Sequence, residues 1–463
     1  IFVQGTISYI ASSGSELLMT MDAGYEAAYD IIGNGGKWRA IAFDPTTHDL
    51  KPQVHGMSMY FYFDNKTAGG DYILSYSGFY GVSLQNSGLE VGDRIAIMPR
   101  VGDGRALKVE LNDGFRMENV EIYAAPFVAV AANLNQGHLE FSNVNIIRRP
   151  GTDRLLAGNA DGINCASSAQ GPLIEDCTLS YLGDDCINTH VPYQRVVWPE
   201  SSTQLLITSL GLAKAQVDDG SPVTMNFFDR ASMLPLGQRK VMSVQTVYNY
   251  QITESTTIAD LDTDPWYSGP AASLRYGETV TVYRITLDKA LTLNDDTIAT
   301  IEGFLGGGTI IRRTQGIGSL ARGFRIQTPN TMIQDCLIKN TMGSGISLSG
   351  QPHYWGEGPY VTNAQVINNT FIDTNIGDRP DETGESASLH IRTGGDYTTS
   401  YIQHDITVAN NVIQDSGGSA MIIRGIDELI VKDNIIDNYV RFEEPATTLD
   451  PSLAGLEYGI VLD

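Results

Sequence analysis

Residues 159–190 read NADGINCASSAQGPLIEDCTLSYLGDDCINTH. Within them Asp161-Gly-Ile-Asn164 returns as Asp185-Cys-Ile-Asn188, 24 residues on, with Asp184 added in front. The same interval separates Asn119-Val-Glu-Ile122 from Asn143-Val-Asn-Ile146. Further along stand IQDCLI (333–338), VINNTFI (366–372), VANNVIQ (408–414) and VKDNIID (431–437), each a short β-rich run with Asn or Asp at a turn. Between them lie GFRIQT (323–328), SGISLSG (344–350), SASLHIRT (386–393) and SAMIIRG (419–425), which align as a second family of strands. Such a period, with short strands and no helical pattern, marks coils that cannot bury an apolar face alone and stack into one continuous core. The expected fold is all-β: a right-handed parallel β-helix. A β-sandwich is the plainer alternative, and the LxxLxL signature of leucine-rich repeats is absent.

The repeat breaks between about 191 and 305. VTMNFFD (223–229), KVMSVQTVYNY (240–250) and GETVTVYRITLDKAL (277–291) alternate as strands do, with Gly and Asp at the turns. The chain therefore divides into N-terminal coils (1–190), an inserted β-rich, barrel-like subdomain (191–305) and C-terminal coils (306–463).

The second strand family shows which side chains face the core. Ile163/Cys165, Ile187/Thr189, Phe324/Ile326, Ile346/Leu348, Leu389/Ile391 and Met421/Ile423 form the apolar column. Alternation turns the intervening residues outward. These are Asn164, Asn188, His190, Arg325, Gln327, Ser347, Ser349, His390, Arg392 and Arg424, a solvent-facing strip of amide, hydroxyl, imidazole and guanidinium groups suited to carbohydrate hydroxyls. The loop GQPHYWGEGPY (350–360) adds His353, Tyr354, Trp355 and Glu357, an aromatic face and an acid for sugar binding. In an extra loop, Asp153 and Arg154 are weaker substrate candidates. Each of these residues also has an ordinary reading as polar surface or turn.

The acids are harder to explain that way. Adjacent strands lie ~4.8 Å apart, so Asp161 and Asp185 should stack. Two carboxylates at that distance repel by roughly 3 kcal/mol at an effective dielectric near 20. A proton, a cation or a function has to accompany them. Calcium is a competing explanation for stacked acids. The chemical reading assigns Asp161 and Asp185 to grip one water as general base, and Asp184 to act as general acid.

Bulk composition narrows the partners. With 54 Asp+Glu against 30 Lys+Arg the formal charge is −24, which repels phosphate backbones and argues against nucleic acid. No apolar run is long enough for membrane insertion. Four cysteines (165, 177, 186, 336) lack CxxC metal spacing and read as buried thiols. The chain opens on Ile1 inside a strand-like run, so its ends look trimmed and carry no targeting segment. The expected location is secreted or periplasmic, and a homodimer is left open.

NADGIN followed by GDDCIN resembles the acidic signature of the polygalacturonases, glycoside hydrolase family 28, which share the expected fold. That family's Gly-His-Gly is absent here, and Arg325-Ile-Gln327 stands where it has Arg-Ile-Lys. A closer resemblance is to glycoside hydrolase family 110, the exo-acting α-1,3-galactosidases. It rests on GDRIAIMPR, NVEIYAAPFVAVAA, ADGIN, GDDCINTH, RGFRIQT and YWGEGPYVTNAQVINNTF, spanning residues 92 to about 375. The resemblance implies hydrolysis of terminal α-galactose in an oligo- or polysaccharide, with inversion and without a metal or other cofactor. Two further readings stay open: a β-helix hydrolase or lyase acting on an anionic or sulfated glycan, and a non-catalytic glycan-binding β-helix.

Overall fold

The computed structural model describes residues 2–25, 36–54, 59–77, 84–99, 104–253, 277–294, 297–352, 355–377, 387–393, 402–441 and 460–462. His353 and Tyr354 lie outside them.

Two long parallel sheets dominate. One carries the strands of the Asn/Asp-rich runs, among them Phe115–Ile122, Leu139–Ile146, Leu337–Thr341 and Thr370–Thr374. The other orders Leu107–Glu110, Val130–Asn133, Ile163–Ala166, Ile187–Pro192, Phe324–Ile326, Ile346–Leu348, Ala387–Arg392, Ser419–Arg424 and Ile460–Leu462. Neighbours in this second sheet are successive passes of the chain, so each pass stacks on the one before. Ile163 pairs with Ile187, Ile187 with Phe324, and Phe324 with Ile346. All four side chains are fully buried in one core that runs the length of the stack.

Turns between the sheets use residues that tolerate a left-handed backbone. Asn119, Asn143, Asp176, Asp335, Asn368, Asn410 and Asp433 all have φ near +55°, a region where Asn and Asp are enriched because their short polar side chains bond locally. Asparagine ladders brace the corners: Asn369 Nδ2 and Asn411 Nδ2 each donate to the next Asn Oδ1, at 3.0 Å and 2.9 Å.

Coils are expected from residue 1, and here the structure corrects the reading. Six strands, Val3–Ile10, Glu16–Met21, Lys37–Phe43, Tyr60–Lys66, Tyr72–Tyr76 and Arg94–Met98, close into an antiparallel barrel with its own core. Parallel passes begin only at Leu107. Closure is the physical reason: each strand of this segment finds both neighbours within it, leaving no edge for a coil to extend. A second closed barrel, Gln194–Pro199 to Thr297–Ile301, leaves the stack after Ile187–Pro192 and returns before Phe324–Ile326.

The polar strip is also corrected. Its residues point away from the coil core yet do not face solvent: Arg325 and Gln327 are 0% exposed, His390 1% and Asn188 6%. Arg424 is buried too, and only Asn164, His190 and Arg392 keep partial exposure. Extra segments cover the strip. Glu357–Gly358 pairs antiparallel with the outer end of Ile187–Pro192. Tyr193, Phe228, Met233 and Ile298, with Tyr360 against them, clamp that loop between coil and second barrel.

Candidate active site

The repeated tetrapeptide has a local cause. Asp161 and Asp185 each sit two residues before a strand, and the Asn three residues on reaches back. Asn164 Nδ2 donates to Asp161 Oδ2 at 2.6 Å, and Asn188 Nδ2 to Asp185 Oδ2 at 3.3 Å. The backbone stacks them, with Gly162 N–H donating to the Asp185 carbonyl at 3.0 Å. A Cβ at Gly162 would lie 2.6 Å from the Cys186 carbonyl oxygen, and one at Gly183 would lie 2.4 Å from that of Asn159. The two glycines therefore let adjacent coils close up beneath the acids.

This stacking brings Asp161, Asp184 and Asp185 together, with one carboxylate oxygen of each within 4.8 Å of the others. Asp161 and Asp185 are buried and Asp184 is half-buried. That spacing also suits a divalent cation bridged by carboxylates.

The column that holds the two stacked acids continues into a cation that sequence reasoning missed. Arg322 stands two residues before Phe324, as Asp185 stands two before Ile187. Its backbone N–H donates to Asp185 Oδ1 at 2.9 Å, its Nε lies 3.0 Å from Oδ1, and its Nη2 donates to Oδ2 at 3.2 Å. The signal was present in RGFRIQT, whose alignment with DGIN and DCIN puts Arg322 in the acid column. Burial pushes Asp185 well above the usual carboxylate range, to about 7, with Arg322 pulling it down and Asp184 pushing it up.

A second group adjoins the first through Asn188, whose Oδ1 lies 3.0 Å from His190 Nδ1. His190 Nε2 lies 3.6 Å from Glu357 Oε1. Gln327 Nε2 donates to Glu357 Oε2 at 3.0 Å, and Arg325 Nε lies 3.8 Å from the same oxygen. Burial alone would raise Glu357, but His190 and Arg325 and the Gln327 bond hold it below its ordinary value. Burial lowers His190, Arg325 adds to that, and Glu357 opposes it. The pair is thus an anionic carboxylate facing a neutral imidazole near neutral pH.

His190, Trp355 and Glu357 open onto a cleft of about 320 Å³. Its far wall comes from the second barrel, through Arg195, Thr208, Leu210 and Phe304. The size falls within the ~300–1,000 Å³ of ligand clefts, and a mostly apolar lining with a few convergent polar groups is their usual character.

Other expected binding residues lie elsewhere. Asn164 and Asn188 hold the acids, and Arg325 and Gln327 hold Glu357 from beneath. His390 is two passes beyond Arg325 in the same column, with Ser347 between. Arg392 pairs in register with Arg424. Two strand spacings place His390 ~10 Å from Arg325, so His390 and Arg392 do not join the acids. Asp153 and Arg154 line a separate cavity against the first barrel. All four cysteines are buried and free, with Cys165 pushed up to about 12 by burial, which unsuits it as a nucleophile.

No family model matches the chain. It is 23% identical to alpha-1,3-galactosidase B of Bacteroides thetaiotaomicron over 55% of this chain and 37% of that protein. It is 22% identical to alpha-1,3-galactosidase A of Shewanella woodyi over 62% of this chain and 42% of that one. The matches thus span about two fifths of the relatives' lengths. Among solved structures it is similar to the A-module of a mannuronan C-5 epimerase from Azotobacter vinelandii (TM-score 0.29, 11% identity, 73% of this chain and 57% of that chain). Another is the catalytic domain of a GH87 alpha-1,3-glucanase (TM-score 0.25, 8% identity, 99% of this chain and 90% of that chain). By sequence, then, the chain is similar to the alpha-1,3-galactosidases over part of its length.

Proposed function

We propose that this chain is a glycoside hydrolase that removes terminal α-1,3-linked galactose from a glycan, with inversion, on a right-handed parallel β-helix. The parallel ladders support that hand, since crossovers between parallel strands are right-handed in about 98% of cases. One observation carries the chemistry: three carboxylates within 4.8 Å of one another, two braced by donors and one half-buried.

Asp161 and Asp185 together hold the attacking water. Their Asn partners and Arg322 fix the oxygens, and Arg322 keeps Asp185 able to ionise near neutral pH instead of remaining neutral. Asp184, the most open of the three, protonates the leaving oxygen. The oxygens lie closer than the ~6.5–9.5 Å usual for inverting pairs and nearer the ~5–5.5 Å of retaining pairs. Burial favours inversion nonetheless: Asp161 and Asp185 are 7% and 1% exposed, so a water reaches them more readily than an anomeric carbon. The cleft walled by the second barrel, with Trp355 and Glu357 at its rim, suits a chain end and hence exo action. No cofactor is needed for this chemistry; calcium at the trio is the rival assignment.

The test is hydrolysis of an aryl α-galactoside with chelator present, followed by NMR of the first-formed sugar. β-Galactose appearing first supports inversion, and α-galactose first would replace it with a retaining mechanism. Calcium-dependent activity, or none on any galactoside, would sink the assignment.

A further inference from the structure

A second cavity, about 770 Å³, lies where the first barrel meets the coil stack. It is lined by Gln4, Asp22, Tyr25, His48, Arg94 and Arg154, among others, and none of its lining residues belongs to the trio or the cleft beside it.

Its floor is built. Arg94 Nη1 donates to Asp22 Oδ1 at 2.8 Å, and Nη2 closes the fork onto Oδ2. Gln4, 1% exposed, donates from Nε2 to Asp22 Oδ2 at 2.6 Å and to the Asp153 carbonyl at 2.9 Å. Its Oε1 accepts from Leu155 N–H at 2.9 Å. One amide thus ties the barrel to the coil loop and holds the Arg–Asp fork in place. Asp22 and Arg94 keep 25% and 13% side-chain exposure, so the fork opens into the cavity. Tyr25 lines one wall and packs on the buried Phe2 at 5.7 Å between ring centroids, and Arg154 covers that Phe2 ring at 4.9 Å.

The attachment of the barrel does not depend on this polar set. Phe2, Ile41, Phe43, Met98, Leu155, Leu156 and Leu320 already form an apolar seam between barrel and coils. A polar cavity beside a sufficient apolar seam, preorganised by a buried amide, has the make-up of a ligand site at a domain junction. Two arginines (Arg94, Arg154) balance two aspartates (Asp22, Asp153) in its lining, although the whole chain carries −24. That balance favours a neutral, hydroxyl-rich ligand over an anion. The part-exposed edges of the Arg94–Asp22 fork, whose groups also bond Thr6 and Gln4, and the Tyr25 ring are what a saccharide would use.

We infer that this cavity is a second, non-catalytic saccharide-binding site, formed by barrel and coil stack together, that takes a neutral glycan. It does not rest on the hydrolase reading, because none of its residues takes part in that chemistry. The probe is α-1,3-galactobiose, titrated by ligand-observed NMR against the Asp161→Asn chain, which should leave the probe intact. Thr152 is an exposed residue of the cavity's lining; Thr152→Trp in that background fills the mouth and leaves the floor untouched. The inference requires one binding event to weaken at least tenfold in Thr152→Trp while its melting temperature matches the parent. In the otherwise native chain, Thr152→Trp should leave kcat/KM on an aryl α-galactoside unchanged. Galactobiose binding that Thr152→Trp does not alter, or the absence of any binding at this mouth, overturns the inference. Absence of hydrolysis by the native chain, with the Thr152-sensitive binding present, would instead sink the hydrolase reading alone.

Discussion

Replacing Arg322 with Met keeps a long, flexible side chain and removes the cation that faces Asp185. At 3.0 Å and an effective dielectric near 20, the attraction is about 5–6 kcal/mol before desolvation is subtracted. Facing charges of this kind move a carboxyl by ~1–3 pH units. Asp185 already stands near 7 because burial raises it, so in Arg322→Met it should ionise only in alkaline solution. The acid limb of kcat/KM, set by ionisation of this base, should move upward by ~1–3 units. Arg322→Lys, which keeps the charge, should hold the limb close to the parent. Stability follows with a definite sign. A carboxyl raised in the folded state holds its proton where the unfolded chain has lost it. Its contribution is therefore complete below about pH 4 and declines as pH rises toward 7 in the parent. In the variant the decline continues beyond pH 7. The two proteins should thus melt alike at pH 5 and diverge at pH 8, one unit above the parent's ionisation, by up to ~1.4 kcal/mol. For 463 residues that corresponds to a shift of roughly 1–1.5 °C. Calorimetry at the two pH values, beside pH–rate profiles, measures both effects. A melting loss equal at both pH values, with an unmoved acid limb, would show Arg322 to be packing alone.

Asp184→Asn should abolish turnover of a natural galactoside by several orders of magnitude yet spare an aryl substrate whose leaving group needs little protonation; equal losses on both would remove Asp184 as the acid. Asp161→Asn and Asp185→Asn should each be crippled on both substrates, with the double variant little worse, because residues acting as a unit are non-additive; additive losses would mean separate tasks. Trp355→Ala should raise KM with kcat nearly kept, since it opens onto the cleft and not onto the acids; a kcat loss with KM intact would place it in the reaction instead. Arg325→Met should chiefly lower the melting temperature, because a fully buried guanidinium facing Glu357 is lost; a variant as stable as the parent with weakened substrate binding would restore Arg325 to direct contact.

The repeat made the stack legible before any coordinates. A coil's apolar face is satisfied only by the same positions of its neighbour, so Ile163, Ile187, Phe324 and Ile346 declare one column by spacing alone. The meeting of Asp161 with Asp185 follows from that column, as does the Asn three residues on that reaches back to each acid. The first barrel was not legible, because antiparallel closure depends on which strands pair, and alternation along each strand leaves that pairing unspecified. Alternation likewise put Asn188, Arg325, Gln327 and His390 outside the coil core but could not say what lies over them. The segment at Glu357–Gly358 and the second barrel decide that, turning an expected sugar-facing strip into a buried support for Glu357. Arg322 shows the division most sharply. Sequence register places it in the acid column, yet 137 residues separate it from Asp185, with a barrel between. Only the return of the chain to the same stack brings guanidinium and carboxylate within 3.0 Å. Periodic burial is a local property that a sequence carries. The charge around a buried carboxylate is set by distance in space, and only the tertiary structure supplies it.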